Sequence, residues 1–273
     1  MRFQRSWFFI LLFASVAAAA AEPAETAADR RLAEILEAEE ALREVSAEGA
    51  GEETLLLRAQ RIADRYESFL AENPEHLHGW ILCGKFLRSV GADRRAFQAF
   101  RRAASLKPDV AVVRQQLGLI LAGQGEYRPA LPHLLRAVEL APEEPAYRDD
   151  LGRFLLRFGE ALEEDGALAA GRARVLALEA FREAYRLEPE SFDRAWRWAE
   201  AHADLPEPNW EGAAAAWEEV HRLAGSRAER EASRLQIARA WIEAGRPDRA
   251  EAWLDPVETP ALVPTWESLR GRL

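Results

Sequence analysis

Histidines, a cysteine and neighbouring carboxylates are the residues of this sequence that could bind a metal ion. His76, His78 and Cys83 lie within eight residues of one another. Glu218 and His221 have the E-x-x-H spacing of di-iron helical bundles. A structural zinc site takes four ligands, and a di-iron site needs a second E-x-x-H copy. The sequence supplies neither, so we expect no metal and no cofactor.

Adjacent acidic residues such as Asp149-Asp150 and Glu163-Glu164 are the remaining candidates for acid–base chemistry. Helices that face water commonly carry such pairs. The sequence has no Ser/His/Asp arrangement, no glycine-rich phosphate loop and no nucleophile elbow. We therefore expect that the protein is not an enzyme.

Composition favours an acidic, all-α protein. Ala, Leu, Glu and Arg, which are strong helix formers, dominate the 273 residues, and β-branched residues are sparse. The net charge is −10, which disfavours binding to nucleic acid or to anionic lipid. Lys85 and Lys107 are the only lysines, and this preference for arginine is typical of a GC-rich bacterial genome. The single Cys83 cannot close an intramolecular disulfide.

The amino terminus has the pattern of a signal peptide over residues 1–21. Arg2 and Arg5 precede an apolar run that ends in five alanines before Glu22-Pro23. The alternative is an uncleaved membrane anchor, and in both cases the charges place the body of the protein outside the inner membrane. We expect an exported protein, periplasmic or otherwise extracytoplasmic.

A period of 34 residues runs through the middle of the chain. Glycines recur at this interval (Gly84, Gly118 and Gly152; Gly91, Gly125 and Gly159), as do leucines, alanines and prolines. Within residues 77–110, apolar residues spaced three or four apart predict two helices separated by a turn at Gly91. The small residues allow the two helices to approach closely, and Pro108 ends the second.

These residues resemble the tetratricopeptide repeat, whose spacing is W-x2-L-G-x2-Y in the first helix and A-x3-F-x2-A with a late proline in the second. Residues 77–110 match with Trp80, Gly84, Ala96, Phe100, Ala103 and Pro108. Residues 111–144 match with Leu117, Gly118, Ala130, Ala137 and Pro142. The resemblance implies an all-α, right-handed superhelical solenoid of antiparallel helix pairs.

The same pattern sets the expected organisation. Residues 22–53 form an N-terminal helix and loop, and the helix over Leu32–Val45 pairs with a helix that carries Ile62 and Tyr66. The solenoid covers residues 54–257, with its clearest repeats at 77–110 and 111–144, degenerate repeats at 145–191, 192–225 and 229–257, and a C-terminal cap at 258–273.

The third repeat carries 13 extra residues between Gly159 and Ala177. Their composition is helix-prone and partly apolar. We expect them to lengthen both helices by about two turns each, with Gly166 near the tip of a projecting hairpin. The alternative is that they fold back over a neighbouring helix.

In tetratricopeptide proteins, positions 2, 5, 9 and 12 of the first helix face the groove. In this sequence the resemblance places there three sets of residues: His78, Ile81, Lys85 and Arg88; Val112, Gln115, Leu119 and Ala122; Ala146, Asp149, Arg153 and Leu156. Trp196 is a further candidate, either as a groove residue or as an ordinary contact between helices. The asparagines of the carboxylate clamp are not at these places.

The resemblance implies a protein partner, an extended peptide or a helix, held in the groove. We expect an interaction scaffold that assists a complex of the cell envelope. The alternative with the same fold is a purely structural subunit of a multiprotein assembly.

Overall fold

A computed structural model describes residues 26–273, and the predicted signal peptide lies outside them. The described residues form helices, turns and loops, without strands. The chain divides into two compact units, one ending at Asn73 and the other spanning Pro74–Leu273. No helix among the described residues is long and apolar enough to cross a membrane.

The first unit is a pair of long helices, α1 (Ala27–Ala47) and α2 (Glu52–Glu72), joined by a loop at residues 48–51 as the sequence predicted. Thr26 and Asp29 form a capping box at the start of α1. Tyr66 and Phe69 of α2 are fully buried, and the Tyr66 hydroxyl donates a hydrogen bond to Glu39 over 2.6 Å.

The second unit is a series of helix pairs. The helices are α3 (Leu77–Ser89), α4 (Asp93–Leu106), α5 (Ala111–Gly123), α6 (Tyr127–Leu140), α7 (Pro145–Glu164), α8 (Arg172–Leu187), α9 (Phe192–Ala201), α10 (Trp210–Leu223), α11 (Arg227–Glu243), α12 (Pro247–Ala250) and α13 (Val263–Arg270). Each helix from α3 to α11 packs against the next one along the chain. This is the predicted all-α solenoid.

The glycines of the 34-residue period lie where two helices of a pair nearly touch. A Cβ atom on Gly84 would lie 2.8 Å from the ring of Phe100, and one on Gly118 would lie 2.8 Å from Leu134. A side chain at either position would overlap its neighbour, which explains why glycine recurs at this position of the 34-residue period. Phe100 and Leu134 are almost completely buried.

The extra residues of the third repeat are divided unequally. Helix α7 has 20 residues where α3 and α5 each have 13, whereas α8 has only two more than α4 and α6. The remaining residues, 165–171, form a loop of turns. The prediction of two added turns is therefore correct for α7 and wrong for α8. Gly159 lies inside α7, and the left-handed turn that Gly91 makes in the first repeat is made here by Gly166, with φ of 74°.

The end of α7 and this loop pack against the rest of the second unit. Leu162 is fully buried, and the Glu163 carboxylate accepts hydrogen bonds from the backbone N–H groups of Gly171 and Ala173 at 2.8 and 2.7 Å. Arg128 of α6 pairs with the Asp165 carboxylate and also donates to its carbonyl at 2.7 Å. These contacts favour the folded-back alternative.

The last helix pair is cut short, because α12 has only four residues. The buried Glu231 carboxylate of α11 holds the following loop by accepting hydrogen bonds from the backbone N–H groups of Glu258 and Thr259 at 3.0 and 2.9 Å. The indole N–H of Trp266 donates to the Leu254 carbonyl at 3.0 Å and ties α13 to the same end of the solenoid.

Candidate functional site

The first helices of the successive pairs, α3, α5, α7, α9 and α11, carry the predicted groove positions; we call their shared side the A-helix face. On α3, His78 and Lys85 are exposed and Arg88 is half-buried. Partial burial, together with the charges of His76 and Lys85, lowers the pKa of His78. His78 and Lys85 are therefore available to a partner.

Three predicted groove residues are buried, and the structure corrects the expectation for them. Ile81 and Ala122 are each 8% exposed and belong to the core. Asp149 is 4% exposed, and its carboxylate lies 3.1 Å from Nε of Arg194 and 3.6 Å from Nη1 of Arg197. Burial raises the pKa of Asp149, and the two guanidinium groups oppose that rise. Asp149 therefore links α7 to α9 and offers little surface to a ligand.

A chain of polar contacts joins the first three helices of the A-helix face. Arg88 of α3 donates to Gln116 at 3.0 Å, Gln116 donates to Gln115 at 3.0 Å, and Gln115 donates to Asp150 of α7 at 2.5 Å. Arg153 completes the chain by pairing with Asp150. Of the predicted residues, the structure thus brings together Arg88, Gln115 and Arg153, with the apolar Leu119 half-buried on the same helix as Gln115.

Trp196 is half-buried in an aromatic cluster. Its ring meets the edge of Trp217 at 4.8 Å between centroids and lies 5.7 Å from Phe192. This packing favours the interpretation of Trp196 as a contact between helices over its interpretation as a groove residue.

A recess of about 160 Å³ opens between α9, α10 and α11. Its apolar lining consists of four alanines and two tryptophans: Ala199, Ala203, Ala213, Ala240, Trp210 and Trp217. The alanines leave space that larger side chains would fill. We call this recess the α9–α11 pocket.

Three polar side chains complete the lining of the α9–α11 pocket, Glu200 from α9 and Gln236 and Arg239 from α11. Glu200 and Arg239 are exposed, and Gln236 is half-buried. None of the three makes a hydrogen bond or ion pair to another residue in the part of the chain that the structure describes. The pocket therefore combines an apolar wall with polar groups that are available to a ligand.

Sequence reasoning missed this pocket although the repeat register contained the signal for it. Lys85 and Arg153 each directly follow the close-approach glycine of their repeat. In the fourth and fifth repeats the corresponding small residues are the buried alanines at 199 and 238, so Glu200 and Arg239 hold the equivalent positions. Both residues are identified when the groove positions of the first three repeats are also applied to the fourth and fifth repeats.

His202 lies beside the pocket in the core between α9 and α10. It is 8% exposed, and neither ring nitrogen has a hydrogen-bond partner within residues 26–273. Burial lowers its pKa, and the charge of Arg182 lowers it further. Both effects favour the neutral form of the ring.

The candidate metal ligands His76, Cys83 and His221 have structural roles. Nδ1 of His76 accepts a hydrogen bond from the Gly79 N–H at 3.0 Å and caps α3, and Cys83 is buried. His221 lies 2.9 Å from the Ser233 hydroxyl and packs edge-on against Trp253. Across residues 26–273, no group of three or more His, Cys, Asp or Glu side chains is placed to hold a metal ion.

The helix pairs, their close-approach glycines and the polar A-helix face define a helical solenoid of the tetratricopeptide type. Solved structures of such proteins share this fold at low sequence identity. The tetratricopeptide protein YrrB, described as having an unusual peptide-binding site, is 15% identical with a TM-score of 0.57, over 77% of this chain and 94% of YrrB. PilF of Pseudomonas aeruginosa is 17% identical with a TM-score of 0.59, over 91% of this chain and 100% of PilF.

MamA of Desulfovibrio magneticus RS-1 is 17% identical with a TM-score of 0.50, over 69% of this chain and 94% of that structure. No protein-family profile and no curated protein sequence matches this chain. The likeness to these structures establishes the fold.

Proposed function

We propose that this protein is an exported, non-catalytic scaffold that binds an extended peptide or a helix of a protein partner on its A-helix face and thereby assists a complex of the cell envelope. The α9–α11 pocket carries the proposal, because two of its unpartnered polar groups, Glu200 and Arg239, hold groove positions of their repeats beside an apolar recess. Such a recess binds a partner through one buried side chain and a few polar contacts. The peptide-binding site reported for YrrB supports the same expectation.

Export rests on the sequence of residues 1–21, which has a charged start, an apolar run and an alanine-rich end. The intact mass of the protein recovered from the envelope fraction tests it. A chain that begins near Glu22 supports cleavage and export. A full-length chain in the membrane fraction supports the anchor, and a full-length chain in the cytoplasm contradicts export.

Photo-crosslinking from two matched leucines tests the binding face. Leu156 of α7 occupies a groove position and is 42% exposed, whereas Leu135 of α6, a second helix of its pair, is 41% exposed. With a photoreactive phenylalanine analogue at each position in turn, we expect adducts of defined mass from position 156 and from Asp204, which is exposed and directly follows Ala203 of the pocket lining. We expect none from position 135.

The outcome separates the proposal from its alternative. Adducts from the A-helix face alone support partner capture on that face. Adducts of equal yield from all three positions indicate a subunit that is surrounded by its assembly, as a purely structural role requires. Adducts from position 135 alone would place the partner on the opposite set of helices and contradict the proposal.

A further inference from the structure

Helix α4 carries a concentration of positive charge in an otherwise acidic protein. Residues 77–140 contain ten lysines and arginines but only four acidic residues, although the whole chain has a net charge of −10. Within this region α4 has four arginines, and Asp93 is its only acidic residue. The negative net charge of the chain therefore does not extend to the surface of α4.

The arginines of α4 differ from those of the corresponding helices in later repeats. The second helices of the next three pairs each carry an arginine that is paired with an acidic side chain: Arg136 with Asp109 in α6, Arg186 with Glu183 in α8 and Arg222 with Glu219 in α10. On α4, Arg94 and Arg101 are exposed, and neither side chain has a hydrogen bond or an ion pair to any described residue. Arg94 also lies in the first turn of α4, where the helix dipole favours acidic residues and opposes a cation. Both guanidinium groups are therefore available to a partner.

The spacing of these two arginines indicates what kind of partner they fit. Arg94 and Arg101 are seven residues apart, so they share one face of α4 and are separated by about 10.5 Å along its axis. Guanidinium groups pair preferentially with carboxylates. A partner that engages both of them presents two carboxylates at this separation. Two acidic residues seven positions apart on another helix meet this requirement in either orientation of that helix.

Helix α1 of this same chain has the matching acidic face. It carries six acidic and three basic residues. Glu37 and Glu44 are exposed and seven residues apart, and neither side chain has a hydrogen-bond or ion-pair partner within residues 26–273. The exposed residue between them on this face is Ala41, whose small side chain allows another helix to approach closely. Helix α1 therefore matches α4 in both charge and spacing.

Helices α10 and α2 have exposed charged pairs at the same spacing, but opposite charges interrupt both of them. Glu211 and Glu218 of α10 are followed one turn later by Arg222, which would repel the arginines of α4. Arg58 and Arg65 of α2 have an exposed aspartate between them, which would repel the glutamates of α1. These two pairs therefore fit less well and provide matched controls.

We propose that α4 is a docking surface for α1 of a second copy of this chain, with Glu37 and Glu44 of one copy against Arg94 and Arg101 of the other. A two-fold axis makes this contact twice in one dimer, because each copy contributes one α1 and one α4. At about 0.15 M salt the Debye length is about 8 Å, so the charges of these two helices outweigh the net charge of the chain. The inference goes beyond the proposed function, since α4 is not a helix of the A-helix face.

Sedimentation velocity of the purified protein, at concentrations up to millimolar, tests the proposal. We expect self-association at about 0.15 M salt and dissociation at about 1 M salt, where the Debye length is only about 3 Å. Reversal of one charged pair, by Arg94→Glu with Arg101→Glu or by Glu37→Arg with Glu44→Arg, should weaken self-association at least about tenfold. The reason is that each reversal sets like charges against each other at two positions.

The control variants make the same changes of charge at the same spacing on other helices. Arg58→Glu with Arg65→Glu on α2, and Glu211→Arg with Glu218→Arg on α10, should leave self-association unchanged. Melting curves by circular dichroism establish that each variant is folded.

An equimolar mixture of the α4 variant and the α1 variant distinguishes charge complementarity from damage to either helix. In the mixture, the native α1 of one variant meets the native α4 of the other, and the two reversed helices are complementary to each other. We therefore expect the mixture to associate about as tightly as the native protein, whereas each variant alone does not.

A native protein that stays monomeric at millimolar concentration and about 0.15 M salt would overturn the proposal. So would a mixture that associates no better than its components, or control variants that weaken self-association as much as the test variants do. Binding of a monomeric protein to phosphatidylglycerol vesicles, lost on reversal of Arg94 and Arg101, would assign α4 to a lipid surface instead. The photo-crosslinking result is independent of these outcomes, because an adduct between two copies has twice the mass of the chain.

Discussion

Replacement of Gly118 by alanine should destabilise the protein through a single methyl group. The added Cβ would lie 2.8 and 2.9 Å from two carbons of Leu134 and 3.2 Å from the carbonyl oxygen of Ala130. Leu134 is 1% exposed and cannot move outward without disturbing the core, and the carbonyl belongs to the backbone of α6. Overpacking of this kind typically costs about 1–3 kcal/mol.

The same helix supplies a control for the change in helix propensity. Gly123 is exposed at the end of α5, and a Cβ added there meets no atom within 4 Å. Exchange of glycine for alanine within a helix is worth up to about 1 kcal/mol. Since both variants gain from that exchange, the difference between them measures the overpacking. We expect Gly118→Ala to be about 1–3 kcal/mol less stable than Gly123→Ala.

Urea denaturation followed by circular dichroism measures this difference, with the slope of the transition compared between the variants. A double-mutant cycle with Leu134→Ala identifies the cause. Leu134→Ala is itself costly, but in its background the Gly118→Ala substitution should destabilise much less, because the two Leu134 carbons are absent and only the contact with the Ala130 carbonyl remains. Equal stability of the two glycine variants, or an undiminished cost in the Leu134→Ala background, would refute the close-approach explanation of the repeat.

Three further predictions concern charges. Glu231→Gln should free the C-terminal loop, seen as faster proteolysis there. Since hydrogen bonds from the Thr259 side chain and from the backbone N–H groups of Glu258 and Thr259 lower the pKa of Glu231 from 4.5 to about 2, the stabilisation is complete above pH 4.5 and is lost as the pH falls towards 2; the variant should lack this dependence. Lys85→Glu should leave the melting temperature unchanged, whereas Arg153→Glu should cost about 1 kcal/mol because it sets a second carboxylate beside the buried Asp150. Because burial lowers the pKa of His202, its contribution to stability is present above pH 6.5 and is lost as the pH falls below that value, and a His202→Leu variant should lose less stability than the native protein between pH 7 and 5.

The helix pairs and their register could be predicted because space dictates the residue at a close approach. Only glycine fits at 84 and 118. Because the close approach recurs once in each repeat, the glycine recurs at the same interval in the sequence. The division of the extra residues in the third repeat could not be predicted, since the stretch is helix-prone throughout. Three-dimensional contacts determine where α7 ends and α8 begins: Leu162 is buried in the core, and Glu163 caps α8.

The candidate site, too, could be predicted from the sequence only in part. Lys85, Arg88 and Arg153 could be placed on the A-helix face from the repeat register alone. The burial of Asp149 could not, because it depends on Arg194, which lies in the next repeat beyond the extra residues. The α9–α11 pocket results from small side chains on three helices, and no single stretch of sequence shows a cavity.

The close approaches also bear on how the chain folds. Gly84 meets Phe100 and Gly118 meets Leu134, each only 16 residues farther along the chain, so each pair closes a short loop. Gly152 meets Phe181 after 29 residues, and loop-closure entropy grows so slowly with length that this longer loop costs only about 0.5 kcal/mol more. Contacts this local in sequence favour rapid folding. A partly synthesised chain can therefore close each helix pair as soon as its second helix is complete.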